Sequence, residues 1–293
     1  MTPPSRQEAT VLTALEALGI EAVELVPLVA ADPWTRWPRA WRTPTTGGST
    51  VKVRLARRAK IAARSAALSE ELHDVRVPPP LGRLGRVTVE RWVEGIPLSS
   101  PRLRGAHVDA AADLLASIHA FPGRGGRLPR RRALTSVVDR CESQLAELAA
   151  AGTVPPAAAA GLVDIVRHGL PPVAGWGLVH GDFCGENLVC GPDGTLVSVD
   201  HELLGHGFFE YDLARSWYRW PAPSWAHERF ENRYRAQLAL PPSPQEAWRA
   251  WRVVAAVKGV HLRRRRGAPS PRALAALERL GSPSGAGPFR PAR

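Results

Sequence analysis

Cysteine is scarce: Cys141, Cys184 and Cys190 are the whole supply in 293 residues. An odd number without the paired spacing of a zinc site argues against a disulfide framework and predicts a reduced, cytoplasmic setting. No run of about eighteen apolar residues occurs, so no membrane span is expected. The opening MTPPSRQEAT lacks a basic segment followed by an apolar one, which predicts a chain that is not exported. Internal repeats are missing as well. So are recognition-helix, RNA-recognition and zinc-finger signatures. The net charge of +12 is therefore read as a solvated basic surface in which arginine dominates, including in loops such as PRRRA and RRRRG, and no nucleic acid is expected as partner.

What remains can bury a core. The chain is 44% hydrophobic and 23% charged, and its length suits two lobes better than one small core. Ser5-Arg6-Gln7-Glu8 reads as a capping box ahead of an apolar stripe through Val11, Leu12, Leu15 and Leu18, and Gly19 is the expected stop. IEAVELVPLV reads as strand. PWTRWPRAWRTPTTGGSTVKVRLA reads as strand, Gly47-Gly48 turn and strand, with Lys52 and Arg54 on the face opposite Val51, Val53 and Leu55.

A helix is predicted over Arg57 to Leu72, with Ile61, Ser65, Leu68 and Leu72 as its stripe, closed by Pro78-Pro79-Pro80. GRVTVERWVEGIPL reads as a further strand through Val87 and Val89, then a connection from Gly95 to Pro101. The first ninety or so residues thus make a small sheet with a helix. Beyond them the pattern is helical: HVDAAADLLASIHAF, SVVDRCESQLAELAAAG, PPAAAAGLVDIVRHG, a Trp-rich segment from Trp217 to Trp251 and a helix through Val253, Val257 and Val260. GSPSGAGPFRPAR at the end is Gly/Pro/Ser-rich and predicts disorder.

The chemistry concentrates between Leu178 and Glu202, LVHGDFCGENLVCGPDGTLVSVDHE. Gly191-Pro192-Asp193-Gly194 is a turn signal between two short apolar runs. A hairpin folded there brings Asn187, before the first strand, toward Asp200, after the second. One amide oxygen and one carboxylate suit Mg²⁺, which takes only one or two protein oxygens and leaves the rest to water and phosphates. Asp182, in the loop feeding the hairpin, is placed to accept a hydroxyl proton. His119 reads as a packing histidine, Cys184 as a space-filling residue, and His201 and His206 as loop residues rather than zinc ligands.

HGDFCGEN followed by VSVDHELLGHGFFEYDLA resembles the catalytic segment of the aminoglycoside phosphotransferase family, small-molecule kinases with a protein-kinase-like fold that are related to choline kinases. That family has an HGDxxxxN loop, a metal-binding Asp often written D-x-E, and a later Asp-Leu-Ala. The resemblance implies an α+β, two-lobed fold: a small mixed or antiparallel-sheet N-lobe for nucleotide over 1–93, a larger, mostly helical catalytic and acceptor lobe over 94–281, and a tail over 282–293. It makes Asp182 the catalytic base, with His180 bracing the loop and Asp212 as the structural acid behind it. Asn187 and Asp200 hold Mg²⁺, Lys52 binds the nucleotide phosphates, and the backbone of Arg91 and Val93 contacts adenine.

Two departures stand out. ADPWTRWPRAW has none of the glycines usual in the loop over the phosphates. The helix position expected to pair with the lysine falls on Arg64, Ser65 or Ala66, leaving Glu71 as the substitute. The resemblance implies an ATP- or GTP-dependent kinase, a monomer or homodimer, that phosphorylates a hydroxyl of a small molecule. Antibiotic resistance or self-resistance is the first expectation, with Glu142, Glu202 and Glu210 as local acids for a cationic acceptor. A metabolic kinase of a sugar or amino alcohol and a pseudokinase-like nucleotide-binding regulatory module stay open.

Overall fold

A computed structural model describes residues 4–28, 39–72, 75–98, 103–122, 133–171, 174–220, 222–240, 244–268 and 270–282. Most of the glycine-free ADPWTRWPRAW loop, most of PRRRA and the tail beyond 282 lie outside the described residues. The chain divides into two compact units, one of Met1–Ile96 with Val189–Gly205, the other of Pro97–Leu188 with His206–Arg293.

The first unit is built on a five-stranded antiparallel sheet in the order β1-β2-β3-β5-β4, from β1 (Val26–Pro27), β2 (Ala40–Pro44), β3 (Thr50–Leu55), β4 (Pro80–Leu84) and β5 (Val87–Arg91). Alternation along β3 places Val51, Val53 and Leu55 in a core with Trp41, Val87 and Val89. Helix α1 (Arg6–Ala17) adds Val11, Ala14 and Leu15 to that core, and its Ser5–Glu8 capping box forms with both reciprocal hydrogen bonds. On β3 the Lys52 and Arg54 side chains are turned to the other face. In the described part of the stretch IEAVELVPLV, strand forms at Val26–Pro27, with one further bridge from Ala22 to Thr45.

Helix α2 spans Ala59–Glu71, shorter at both ends than expected; Ala62 and Ser69 are its buried positions, Leu72 just past its end is buried as expected, and Ile61, Ser65 and Leu68 are half-buried. Periodicity located the helix and Leu72 but not the small residues Ala62 and Ser69 on the side that packs, where α2 meets β4, β5 and the turn at His201–Leu203. Strand β4, which begins at the third proline, was also unforeseen. A further sheet, of β6 (Ile96–Pro97), β8 (Leu188–Cys190) and β9 (Leu196–Ser198), has the order β6-β8-β9. The β8–β9 hairpin turns at Gly191–Gly194, as the turn signal requires: Gly191 N–H donates to Thr195 O, and Asp193 accepts from the Thr195 N–H and hydroxyl.

The second unit is helical, with α3 (Gly105–His119), α4 (Thr135–Ala150), α5 (Pro156–Gly169), α6 (Phe209–Arg219), α7 (Ser224–Gln237), α8 (Gln245–Arg264) and α9 (Pro271–Gly281), plus a β7 (Trp176–Val179)–β10 (Gly205–Phe208) pair. Helix α8 is its axis: Trp251, Val253, Val257 and Val260 are buried among residues of α4, α5, α6 and α9. Helix α9 was not foreseen as an element. No helix among the described residues is long and apolar enough to cross a membrane, and the three cysteines are free thiols.

Candidate active site

The loop HGDFCGEN follows β7 within the second unit, and one face of α6 organises it. Positions 212, 215, 216 and 219 lie at i, i+3, i+4 and i+7, on one side of a helix. Each of the four reaches the loop. The carboxylate of Asp212, fully buried, accepts the His180 N–H at 2.6 Å and the Gly181 N–H at 2.7 Å. Ser216 Oγ donates to Phe183 O at 2.8 Å. Arg215 Nε donates to Asp182 Oδ1 at 2.9 Å, and Arg219 Nε lies 3.3 Å from the same oxygen.

Gly181 has φ +80, so the turn that presents Asp182 needs a residue without Cβ. At Gly185 the reason is space: an added Cβ would run into Leu98 O and approach Trp220 Nε1 to 2.9 Å. His180 is buried, and its Nδ1 accepts the Asp182 N–H at 3.2 Å. Behind Asp212 stands His119, stacked on Phe209 at 4.4 Å, with Nε2 3.2 Å from Asp212 and Nδ1 2.7 Å from the Tyr234 hydroxyl. The two ring nitrogens of His119 thus bridge Asp212 and Tyr234.

Burial works against the charge on Arg215, but Tyr218, Tyr211 and Asp182 outweigh it and raise its pKa. Arg219 behaves alike, with Asp182 the leading counterweight to burial. Burial pushes the Cys184 thiol up, so Cys184 fills space and is no nucleophile. Asn187 spends its Nδ2 on Asp182 O at 2.9 Å, which leaves its Oδ1 as the acceptor for a cation.

Asp200, the other residue expected to hold metal, belongs to the first unit. It takes the left-handed backbone conformation, φ 66 and ψ 55, at the start of a 3₁₀ turn over His201–Leu203. Ser65 Oγ of α2 donates to His201 O at 2.9 Å and anchors that turn. Arg54 Nη2 donates to Asp200 Oδ1. The Asp200 side chain is 43% exposed, whereas Arg54 is 12% exposed. Burial opposes the Arg54 charge, and Asp200, Glu90 and Glu202 overcome it. Among the described residues no three His, Cys, Asp or Glu side chains cluster as metal ligands. Mg²⁺ needs only one or two protein oxygens, and a carboxylate with an amide oxygen is a donor set it accepts.

Lys52 stands opposite Glu90 in the β3–β5 register, and its ammonium lies 3.0 Å from that carboxylate. Glu71, offered as its partner, ends α2. Trp92 N–H donates to Thr50 O, so the alternation of an antiparallel pair turns the backbone polar groups of Arg91 away from β3. The Arg91 side chain is exposed and that of Val93 half-buried. Of the expected acids, Glu142 pairs with Arg167 at 2.6 Å, and the half-buried Glu210 accepts the Gly175 N–H.

Burial opposes ionisation of Glu90, but Lys52 and Arg54 outweigh it and hold its pKa below the ordinary carboxylate value. A lowered folded value means that the unfolded chain takes up the proton first. The stability this contributes is full above the unfolded pKa and is lost as pH falls through the folded one. Glu90→Gln should therefore lose stability near neutral pH and show a shallower decline toward about pH 4 than wild type. Urea unfolding at the two pH values checks this, and parallel slopes would refute it.

Arg215, Ser216, Arg219 and Glu90 were all missed in the sequence. The first three were findable: DLARSWYR carries them at helical spacing from Asp212. Glu90 needed the strand register.

A phosphate-transferring enzyme of kinase-like fold is the class that this loop and architecture define. The chain belongs to the phosphotransferase enzyme family, whose model matches residues 39–252. Solved structures share the fold. An aminoglycoside-3'-phosphotransferase of type VIII is 20% identical, with TM-score 0.61 over 83% of this chain and 97% of its own. Macrolide 2'-phosphotransferase MphH from Brachybacterium faecium is 16% identical, with TM-score 0.64 over 96% and 99%. Choline kinase LicA from Streptococcus pneumoniae is 16% identical, with TM-score 0.71 over 94% and 98%. No curated protein matches the chain by sequence.

Proposed function

We propose that this small-molecule phosphotransferase moves the γ-phosphoryl group of ATP or GTP to a hydroxyl of its acceptor, with Asp182 orienting that hydroxyl. The observation that carries the reading is the α6 face that grips the HGD loop at four points, since phosphoryl transfer asks a protein chiefly for positioning and charge. The guanidinium groups of Arg215 and Arg219 hold the Asp182 carboxylate in place. Its work is to accept a hydrogen bond from the attacking hydroxyl and aim it, with the proton passing to the carboxylate late.

Asn187 and Asp200 would hold Mg²⁺. The ion supplies neutralisation of the nucleotide phosphates. Lys52 serves those phosphates as well, and the backbone of Arg91 and Val93 meets adenine, so residues 1–93 act as the nucleotide lobe and 94–281 as the acceptor lobe. A structure of the choline kinase neighbour in complex with AMP supports a nucleotide role for this fold.

The neighbours' acceptors, an aminoglycoside, a macrolide and choline, leave an antibiotic as the first class to test. The engagement of Glu142 by Arg167 and of Glu210 by the Gly175 N–H favours an antibiotic, sugar or nucleoside with little positive charge over a polycation. The test is purified protein with ATP, GTP and a hydroxyl-bearing library, read by mass for gain of one phosphoryl group. Nucleotide binding without transfer to any hydroxyl would instead make the chain a regulatory module.

Lys52→Ala should raise the Michaelis constant for nucleotide at least as much as it lowers turnover, because the ammonium acts on phosphates in ground and transition states alike. Steady-state kinetics in varied nucleotide decide it. Wild-type constants would make Lys52 a structural partner of Glu90 and no more.

A further inference from the structure

Arg54 has no role in the chemistry described so far, yet the metal-holding acid is bound to it. It sits two residues beyond Lys52, on the same face of β3, and is as buried as that lysine. Its guanidinium donates to one Asp200 oxygen, while Asp200 keeps a left-handed backbone that an L-residue other than glycine adopts at a cost. A surface arginine would have no reason to be drawn under the sheet. This one is held there by opposite charge from Asp200, Glu90 and Glu202.

We infer that Arg54 is a placeholder cation: it occupies Asp200 until Mg²⁺ arrives and competes with the ion for that carboxylate. The inference rests on the reading of Asp200 as a Mg²⁺ ligand. Two cations on one carboxylate repel each other, so the ion must displace the guanidinium or share the acid with it at a loss. The competition has a purpose. Asp200 is kept in one position before the ion arrives, and free Mg²⁺ alone has difficulty displacing the guanidinium. Mg²⁺ that comes with nucleotide brings phosphate oxygens for the released Arg54, beside Lys52. Metal and nucleotide thereby become mutually dependent, a coupling that links two sites through one side chain.

The experiment measures the affinity of the full chain for ADP across a Mg²⁺ titration, in wild type, Arg54→Met, Arg54→Lys and Asp200→Ala. Wild-type ADP affinity should rise with Mg²⁺, and Asp200→Ala should abolish that rise. Arg54→Met should lower the half-saturating Mg²⁺ concentration on the order of tenfold. Arg54→Lys, which keeps the charge but lacks the planar fork, should shift it the same way by about threefold.

An unchanged or higher Mg²⁺ requirement in Arg54→Met, with the wild-type and Asp200→Ala results as expected, overturns the placeholder alone. If Asp200→Ala keeps the full Mg²⁺ response, the reading of Asp200 falls and the placeholder with it. Should Arg54→Met not fold, Arg54→Lys decides by itself, and no shift there overturns the inference.

Discussion

Asp182→Asn is expected to cut turnover by about a hundredfold or more, the scale of a positioned acid–base group. Asparagine keeps the shape and one oxygen, so Arg215 Nε retains an acceptor at the place where it now meets Asp182 Oδ1 at 2.9 Å. The loop itself hangs on the backbone N–H groups of His180 and Gly181 and on Phe183 O, which the substitution leaves alone. What is lost is the anionic acceptor for the substrate hydroxyl. The Michaelis constant for nucleotide and the melting temperature should therefore stay close to wild type while turnover collapses. A variant that keeps near-normal turnover would remove Asp182 from the chemistry.

Asp212→Ala should be the more damaging change to the protein as a folded object. Its carboxylate satisfies two backbone donors and the His119 ring, all in a site with no access to water. Alanine leaves those donors buried and unpaired, at about 1–3 kcal/mol for each neutral group. A total of about 3–5 kcal/mol matches the cost of breaking a buried charged network. That is a large part of the roughly 5–15 kcal/mol that a domain commands. The melting temperature should fall by about 10 °C, and activity should fall at temperatures where the variant is still folded, since the HGD loop loses its anchor. A shift of only a degree or two would show that the loop is held by other contacts.

These two residues also show what the sequence reveals and what it hides. Asp182 and Asp212 were legible because each stands in a short local pattern, HGD before a strand and DLA at the start of a helix. The hairpin was legible for the same reason, since Gly191-Pro192-Asp193-Gly194 specifies its turn from four adjacent residues. Lys52 was placed on the correct face by the alternation of Val51 and Val53.

Its partner Glu90 was not legible, because a cross-strand pair depends on a register fixed by residues some forty positions apart. Of the α2 stripe Leu72 is buried as expected, but Ala62 and Ser69 were not legible, because they carry little apolar signal although small size is what close packing selects. Arg215 and Arg219 lay in plain view and were passed over as part of a general arginine excess. Charge composition says how many guanidinium groups a chain has. Only helical spacing from a named acid says which of them are committed.

The most direct measurement of the central claim is ³¹P NMR of the purified protein with ATP, Mg²⁺ and an acceptor found in the library. The account predicts a new phosphomonoester resonance that grows in step with ADP, and its absence in the Asp182→Asn protein over the same period. ADP formed with inorganic phosphate alone, or a phosphomonoester that grows equally fast in Asp182→Asn, would contradict it.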